Sequence, residues 1–232
     1  MSSRRERSRA AIAQVARALG DERERSLFVG GTVTALYDLG EVDVRPTVDV
    51  DLVADVATLA DYYALVERLR GRGFAPCTDP GAPLCRLVLI DQRVDVMPVE
   101  TSALGPSNRW YRAAMAHAET HEVAPGVTVR AIDPLHFVAT KLEAWRGRGG
   151  GDYRESHDLE DLLAVVAGLP ALRAEVQAAA REASAAVRTE LAALARDDAF
   201  LTAVWGHFDG DDEGQRRAAR LVEWLRALGR GS

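Results

Sequence analysis

The sequence predicts an α+β fold, in which a small mixed β-sheet with flanking helices is followed by a helical C-terminal half. Short runs of alternating apolar and polar residues, typical of half-buried strands, are concentrated before Pro98. Beyond Pro98 the apolar residues recur at intervals of three and four, which is typical of helices. The chain has 232 residues, of which 47% are hydrophobic and 28% charged, so it is long and apolar enough to bury a core.

The first predicted elements are a helix, a strand and a glycine turn that opens a second helix. Apolar residues recur at helical spacing over residues 9–20, and a glycine ends the segment. A short strand follows at SLFV, and Gly30-Gly31 is predicted to form a tight turn. The next segment, TVTALYDLG, is predicted to be a helix.

Two further strand signals complete the first half. The segment RPTVDVDLV alternates between apolar residues and aspartate, which predicts a half-buried strand. The segments CRLVLI and RVDVM are predicted to form a hairpin that turns at Asp91-Gln92.

Helices dominate the rest of the chain. VTVRAI is predicted to be a short edge strand, and Asp133-Pro134 to begin a helix that runs to about Arg146. GRGGGDYRES reads as a flexible connector after that helix. The other predicted helices occupy residues 59–70, 108–120, 171–195 and 215–228, together with a helix that begins at His157.

Charge and composition exclude several classes of protein. The net charge of −6 argues against a protein that coats nucleic acid by neutralising many phosphates. No apolar run approaches the roughly 18–20 residues that span a bilayer, and the basic N-terminus lacks the uncharged core of a signal peptide. The two cysteines form no CxxC pair. We therefore expect a cytoplasmic protein without disulfides or a membrane span.

Three aspartates in alternating strands form the first candidate site. Asp49 and Asp51 are two residues apart on one predicted strand, so they project from the same face, about 7 Å apart at their Cα atoms. Asp95 has the same setting on another strand, between Val94 and Val96. If the two strands are neighbours, three hard carboxylates converge on one face, and such a set suits Mg²⁺ and phosphoryl transfer.

A further candidate for this site is Lys141, which is the only lysine in a chain with 29 basic residues. It lies beside the apolar stripe of its predicted helix, and a compact ammonium is not interchangeable with a guanidinium. Asp158 opens a later helix and Asp161 lies in the first turn of that helix. Helix capping is the alternative role for these two acids, and a surface position is the alternative for the lysine.

Taken together, these segments resemble the nucleotidyltransferase superfamily. The glycine turn in FVGGTVTALYDLG, the Asp-x-Asp strand and the third aspartate in RVDVM follow the superfamily pattern. The chain is similar in particular to the AbiEii/AbiGii toxin-type nucleotidyltransferases, which include the MenT toxins. That similarity rests on KLEAWRGRGGGDYRESHDLEDL and on an Arg-x-Thr-x-Asp-x-Asp string formed by Arg45, Thr47, Asp49 and Asp51. The resemblance covers about residues 27–167.

The resemblance implies roles for both groups of residues. It implies that Asp49, Asp51 and Asp95 bind Mg²⁺ or Mn²⁺, and that Asp95 helps to deprotonate the acceptor hydroxyl. It also implies that Lys141 and Asp158 belong to the active site, although Asp161 is an alternative to Asp158 as the working acid. Where many members have Gly-Ser, this chain has a second glycine, followed by a threonine. The implied nucleotide contacts are Gly30, Gly31, Thr32, Arg45, Thr47, Lys141 and Asp161.

The implied reaction moves a nucleoside monophosphate from an NTP to an acceptor and releases pyrophosphate. The family suggests the tRNA 3′ end as the acceptor, with a protein hydroxyl as the second possibility, and it implies a cognate antitoxin partner. The predicted domains are a catalytic core at residues 1–105 and a helical region at residues 106–232, which contributes Lys141 and Asp158 to the cleft.

Two other functions compete with this interpretation. One is a catalytically silent module of the same fold that only binds a nucleotide or a partner. The other is a haloacid-dehalogenase-like phosphatase, in which the first aspartate of VDVDLV would be a nucleophile. A phosphatase of that type needs a continuous hydrophobic strand before this aspartate, whereas Arg45, Pro46 and Thr47 stand there. It also gives no role to Asp95 or to the glycine turn.

Overall fold

The computed structural model describes residues 2–40, 42, 45, 47, 49–100, 108–148 and 152–230. The chain divides into two compact units, Met1–Tyr37 with Pro46–Asp133 and Asp38–Arg45 with Pro134–Ser232. The domain boundary predicted between residues 105 and 106 lies outside the described residues.

The first unit contains a seven-stranded sheet with helices beside it. Its strands are β1 (Ser26–Val29), β2 (Val50–Ala54), β3 (Phe74–Pro76), β4 (Arg86–Leu89), β5 (Gln92–Pro98), β6 (Glu119–Ala124) and β7 (Val127–Ala131). Its α-helices are α1 (Ser2–Leu19), α2 (Leu59–Arg70) and α3 (Tyr111–Ala116). Two 3₁₀ segments follow α1 and β1, at Gly20–Arg25 and at Gly31–Leu36.

The strand order of the sheet is β3-β4-β5-β2-β1-β7-β6. The pairs β2–β5 and β1–β7 are parallel and the other pairs are antiparallel, so the sheet is mixed. All four residues of β1 are buried, as expected for an interior strand that is covered on both faces and therefore apolar throughout. This order brings β2 beside β5, the two strands that carry the predicted acidic residues.

The second unit is helical over its described residues. Its α-helices are α4 (Pro134–Gly147), α5 (His157–Gly168), α6 (Pro170–Ala178), α7 (Glu182–Leu194), α8 (Asp198–Val204) and α9 (Asp212–Arg230), with a 3₁₀ turn at Trp205–His207. Helix α4 packs against α5 and α7, and α7 packs against α9. The fully buried side chains of Leu162, Val187 and Leu225 form part of the core between these helices.

The structure confirms the predicted fold class, a mixed sheet with flanking helices followed by a helical C-terminal half. It also confirms the opening helix, the strand at SLFV, the helix at residues 59–70 and the hairpin of β4 and β5. The helix that starts at Pro134 and the helix that starts at His157 begin where they were predicted. Among the described residues, no helix combines the length and the apolarity that a membrane crossing requires.

Three predicted elements of the first unit were wrong in type or position. TVTALYDLG contains only a 3₁₀ segment, because Tyr37 leaves it in an extended conformation and donates from its hydroxyl to the Ile132 carbonyl at 2.6 Å. The helix predicted at 108–120 ends at Ala116, because the chain then enters β6 and pairs with β7. For the same reason β7 is an interior strand and β6 is the edge.

Other differences concern turns and short elements. The hairpin turns at Ile90-Asp91, one residue earlier than predicted, since Leu89 pairs with Gln92. The helical stretch predicted at 171–195 is two helices, α6 and α7, because Ala179 adopts a left-handed conformation with φ 49°. Strand β3 and helix α8 were not predicted.

Candidate active site

The glycine turn lies directly against the acidic strand β2. Val29 at the end of β1 pairs with Asp51, and Gly30 follows with φ 71°, a left-handed conformation that favours glycine. A Cβ atom placed on Gly30 would lie 1.9 Å from the Asp51 Oδ2 atom. The turn therefore requires glycine both for its backbone angles and for the space that the Asp51 carboxylate occupies.

Two of the three predicted acidic residues, Asp51 and Asp95, lie on neighbouring strands, whereas the strand predicted from Arg45 begins only at Val50 and leaves Asp49 just before it. In the parallel pair of β2 and β5, Asp51 stands opposite Asp95, so both side chains leave the same face of the sheet. Asp49 precedes β2 by one residue, two positions before Asp51. The structure thus brings Asp49, Asp51 and Asp95 together, as the alternating pattern predicted.

A fourth residue, Arg86, joins this group and was not predicted. Arg86 lies on β4 opposite Asp95, on the other side of β5 from β2. Its Nε donates to Asp95 Oδ1 at 2.8 Å, and its Nη2 donates to Asp95 Oδ2 at 2.8 Å and to Asp49 Oδ2 at 3.1 Å. The guanidinium therefore bridges two of the three carboxylates.

The environment of this group shifts the pKa values of Arg86 and of the neighbouring Cys85. The hydrogen bonds to Asp95, and the charges of Asp95, Asp49 and Asp51, raise the pKa of Arg86 well above its ordinary value. The thiol of Cys85, next to Arg86, is buried, and burial together with the Asp95 charge raises the pKa of Cys85 to about 11. Arg86 is thus a permanent cation, and the Cys85 thiol stays protonated at neutral pH.

Several polar atoms near the turn and the acidic strand are buried without hydrogen bonds. Within the part of the chain that the structure describes, Thr32 Oγ1, Thr47 Oγ1 and Asp49 Oδ1 have no hydrogen-bond partner. Buried polar atoms are normally satisfied, so unsatisfied ones suggest a ligand or water that completes them. Carboxylate and hydroxyl oxygens are the donors that Mg²⁺ and its bound phosphates use.

The acidic group is not a complete metal cage. Among the described residues, no group of three or more His, Cys, Asp or Glu side chains is arranged to hold a metal ion. Mg²⁺ usually takes only one or two carboxylates and fills its other positions with water and substrate phosphates. One or two of the carboxylates of Asp49, Asp51 and Asp95 would be enough for such an ion, so the chemistry of this donor set is compatible with Mg²⁺.

The second predicted group lies in the helical unit and is centred on Lys141. Lys141 Nζ on α4 donates to Asp161 Oδ2 at 2.6 Å and to Asp158 Oδ1 at 3.2 Å, both on α5. The side chains of Lys141, Asp158 and Asp161 are only 13%, 8% and 3% exposed. Burial alone would lower the Lys141 pKa, but the charges of Asp161 and Asp158 outweigh it and raise the pKa above its ordinary value.

Two arginines extend this buried ion-pair group. Arg45 Nε lies 3.7 Å from Asp161 Oδ1, and Arg148 donates to Asp158 Oδ2. The N-cap of α5 is Ser156, whose hydroxyl accepts from the Leu159 amide at 3.3 Å. The two acids are therefore not the caps of their helix, and their charges face cations instead.

The predicted site residues thus form two groups, one in each unit. Gly30, Gly31, Thr32, Thr47, Asp49, Asp51 and Asp95 belong to the first unit, and Arg45, Lys141, Asp158 and Asp161 to the second. In the first group Gly30 adjoins Asp51, which pairs with Asp95, and in the second Lys141 contacts both Asp158 and Asp161. Arg86 is the one member of the first group that the sequence analysis missed.

The fold, compared with known proteins, is nucleotidyltransferase-like. No protein-family model matches the chain, and no curated protein matches it. Among solved structures, it is similar to the crystal structure of an antigenic nucleotidyltransferase-like protein from Paracoccidioides brasiliensis, with 21% sequence identity and a TM-score of 0.52. The similarity covers 84% of this chain and 90% of that chain. It supports the predicted fold.

Proposed function

We propose that this protein is a metal-dependent nucleotidyltransferase of the AbiEii/AbiGii toxin type, which transfers a nucleoside monophosphate from an NTP to an acceptor. The observation that carries the proposal is the register of the sheet, which sets Asp51 beside Asp95 and against the glycine turn at Gly30. A backbone turn that approaches a carboxylate pair can hold a triphosphate next to a metal.

The metal of the proposal is Mg²⁺ or Mn²⁺, held by Asp49, Asp51 and Asp95. When bound, it would neutralise charge on the phosphates and align the attacking and leaving oxygens. In this proposal Asp95 also accepts the proton of the acceptor hydroxyl, because its carboxylate lies on the same face as Asp51. The buried Asp49 Oδ1, without a partner among the described residues, is the open donor position that supports the assignment.

In this proposal the NTP substrate contacts the glycine turn through its phosphates. Gly30 and Gly31 have no side chains that would keep a phosphate away from the backbone, and the Thr32 hydroxyl supplies a donor next to them. Thr32 is 1% exposed and its Oγ1 is without a partner among the described residues, so a ligand at the turn would satisfy it. The resemblance adds Arg45, Thr47, Lys141 and Asp161 as further contacts.

Lys141 and Asp158 have defined parts in the proposed reaction. The Lys141 ammonium would neutralise charge that grows on the leaving pyrophosphate, which is an electrostatic contribution to the transition state. Its raised pKa keeps it charged at neutral pH. Asp158 and Asp161 hold the ammonium between them at 3.2 and 2.6 Å and so restrict its position.

The acceptor and partner follow from the resemblance. We propose the tRNA 3′ end as the acceptor, a protein hydroxyl as the second possibility, and a cognate antitoxin as the partner. A test is incubation of the protein with each α-labelled NTP, Mg²⁺ and total tRNA, followed by separation of RNA from protein. Label on tRNA or on protein supports the proposal and identifies the acceptor class.

The alternative function is a silent binding module of the same fold. Arg86 favours it in one respect, because its guanidinium already pairs with two of the carboxylates. Such a module would bind the NTP, but in the labelling experiment it would transfer no label to any acceptor. Binding without transfer, with Mg²⁺ and with Mn²⁺, would therefore decide for the silent module.

A further inference from the structure

Arg86 occupies the oxygen atoms that the proposed function assigns to a metal. Its Nε and Nη2 donate to both oxygens of Asp95 at 2.8 Å, and Nη2 also donates to Asp49 Oδ2 at 3.1 Å. Paired hydrogen bonds of a guanidinium to a carboxylate are among the strong ones in proteins. Two of the three proposed metal ligands, Asp49 and Asp95, are thus already paired with the Arg86 guanidinium.

The sheet fixes this contact. Arg86 pairs with Asp95 across the antiparallel strands β4 and β5, and Asp95 pairs with Asp51 across β5 and β2. Residues that pair across neighbouring strands share a face, so the guanidinium is held among the carboxylates by the strand register. The Arg86 side chain is 20% exposed, which limits its alternative partners to those on this face.

A metal ion bound by Asp95 would compete with the Arg86 guanidinium for the two oxygens of that carboxylate. A carboxylate oxygen that binds Mg²⁺ at about 2.0–2.1 Å has little room for a hydrogen-bonded guanidinium at its inner face. Two adjacent cations would also repel each other. A divalent cation that binds Asp95 through these oxygens would therefore displace the guanidinium.

We propose that Arg86 is an internal counter-cation, which holds Asp49 and Asp95 in the metal-free protein and must release them when a divalent cation binds. The inference rests on the proposed function for the location of the metal site. It assigns Arg86 a role in setting metal affinity: the guanidinium offsets part of the negative charge of the acidic site without metal, and the cation must displace it from Asp95 to bind there.

The test compares Mn²⁺ binding by the wild-type chain and by Arg86→Gln. Free Mn²⁺ is measured by electron paramagnetic resonance during a titration without nucleotide. The matched control is Arg93→Gln in the same hairpin. Arg93 pairs with Asp79 at 3.3 Å, and the side chains of the two residues are 48% and 62% exposed. Circular dichroism checks that each variant is folded.

We expect Arg86→Gln to bind Mn²⁺ about tenfold more tightly than the wild type, and Arg93→Gln to bind within twofold of it. Addition of Asp51→Asn to Arg86→Gln should reverse the gain. Equal or weaker binding by a folded Arg86→Gln would overturn the role of Arg86 while the metal site stands. Absence of Mn²⁺ binding in every variant, with and without ATP, would instead contradict the metal site of the proposed function.

A second measurement needs only the wild-type chain and so does not depend on the variant's fold. Phenylglyoxal modifies accessible arginines, and mass spectrometry quantifies each site. Saturating Mn²⁺ should raise labelling of Arg86 at least threefold and leave Arg93 unchanged. Labelling of Arg86 that does not respond to Mn²⁺ would show that the metal leaves the guanidinium in place, and would overturn the inference.

Discussion

Removal of the Lys141 charge should destabilise the helical unit. Its ammonium is the cation between two buried acids, at 2.6 Å from Asp161 Oδ2 and 3.2 Å from Asp158 Oδ1. Lys141→Met would keep the aliphatic stem of the side chain. It would leave Asp161, whose side chain is 3% exposed, with the Arg45 guanidinium at 3.7 Å as its remaining ion-pair partner among the described residues. Breaking a buried ion pair by removal of one partner costs about 3–5 kcal/mol.

Because Arg45 and Arg148 still contact the two acids, we expect Lys141→Met to lower the free energy of unfolding by the lower end of this range, about 3 kcal/mol. For a chain of this size that loss corresponds to a melting temperature about 6–12 °C lower. Thermal unfolding followed by circular dichroism measures the shift. Arg70→Met is the control, because Arg70 and Glu67 form a pair 2.9 Å apart in which the side chains are 51% and 67% exposed. We expect that control to change stability by less than about 0.5 kcal/mol.

A double variant separates charge from packing. Lys141→Met with Asp161→Asn removes one uncompensated charge together with the lysine, so it should regain part of the lost melting temperature.

The stabilisation by Lys141 is also pH-dependent, because the Lys141 pKa is raised in the folded protein. It is fully present below the unfolded lysine pKa of about 10.4 and is lost as the pH rises through the folded value. A melting temperature of Lys141→Met within 2 °C of the wild type would refute the reasoning.

Three further predictions concern the first unit. Thr32→Val should keep or raise the melting temperature, since it removes a buried hydroxyl that has no partner among the described residues, yet it should raise the NTP KM several-fold. Gly30→Ala should lower the melting temperature more than Gly81→Ala: both positions have positive φ, but only at Gly30 would the added Cβ lie 1.9 Å from a carboxylate oxygen. At pH 8 Cys85 should react with iodoacetamide far more slowly than Cys77, because Cys85 is buried and its pKa is raised to about 11. Comparable rates at the two thiols in native protein would contradict that assignment.

The acidic residues were predictable because strand geometry links sequence spacing to direction. Asp49 and Asp51 share a face at a spacing of two, whichever strand lies beside them. That Asp51 pairs with Asp95 depends on the sheet order, which was assumed in the prediction and is confirmed by the structure. Local alternation therefore predicted which carboxylates share a face, and the sheet order determined which of them meet.

Arg86 was missed because the hairpin register was predicted with the wrong turn. A turn at Asp91-Gln92 would pair Asp95 with Val88, whereas the observed turn at Ile90-Asp91 pairs Asp95 with Arg86. Ile90 has φ 61°, a conformation that a β-branched residue rarely adopts, so the sequence favoured the other position. A shift of the turn by one residue changes the cross-strand partner of Asp95 by two residues, from the apolar Val88 to the cation Arg86.

The Lys141 group shows a different limit of sequence analysis. The uniqueness of Lys141 marked it, but its burial depends on partners 17 and 20 residues away on another helix. Helical periodicity places a side chain beside an apolar stripe and does not state which charged residues will meet it. The role of Ser156 as the N-cap also leaves Asp158 free of that function, which the Ser-His-Asp sequence alone does not decide.

The central claim is that the carboxylates beside the glycine turn catalyse nucleotidyl transfer, and pyrophosphate release tests it most directly. Wild-type protein and Asp51→Asn are incubated with each NTP, Mg²⁺ and total tRNA, and pyrophosphate is measured against the nucleotide incorporated. We expect equimolar pyrophosphate and incorporated nucleotide from the wild type, and a rate at least about a thousandfold lower from Asp51→Asn, a loss of about 4 kcal/mol of transition-state stabilisation. Equal pyrophosphate release by a folded Asp51→Asn, or none from the wild type with any NTP and either metal, would contradict the claim.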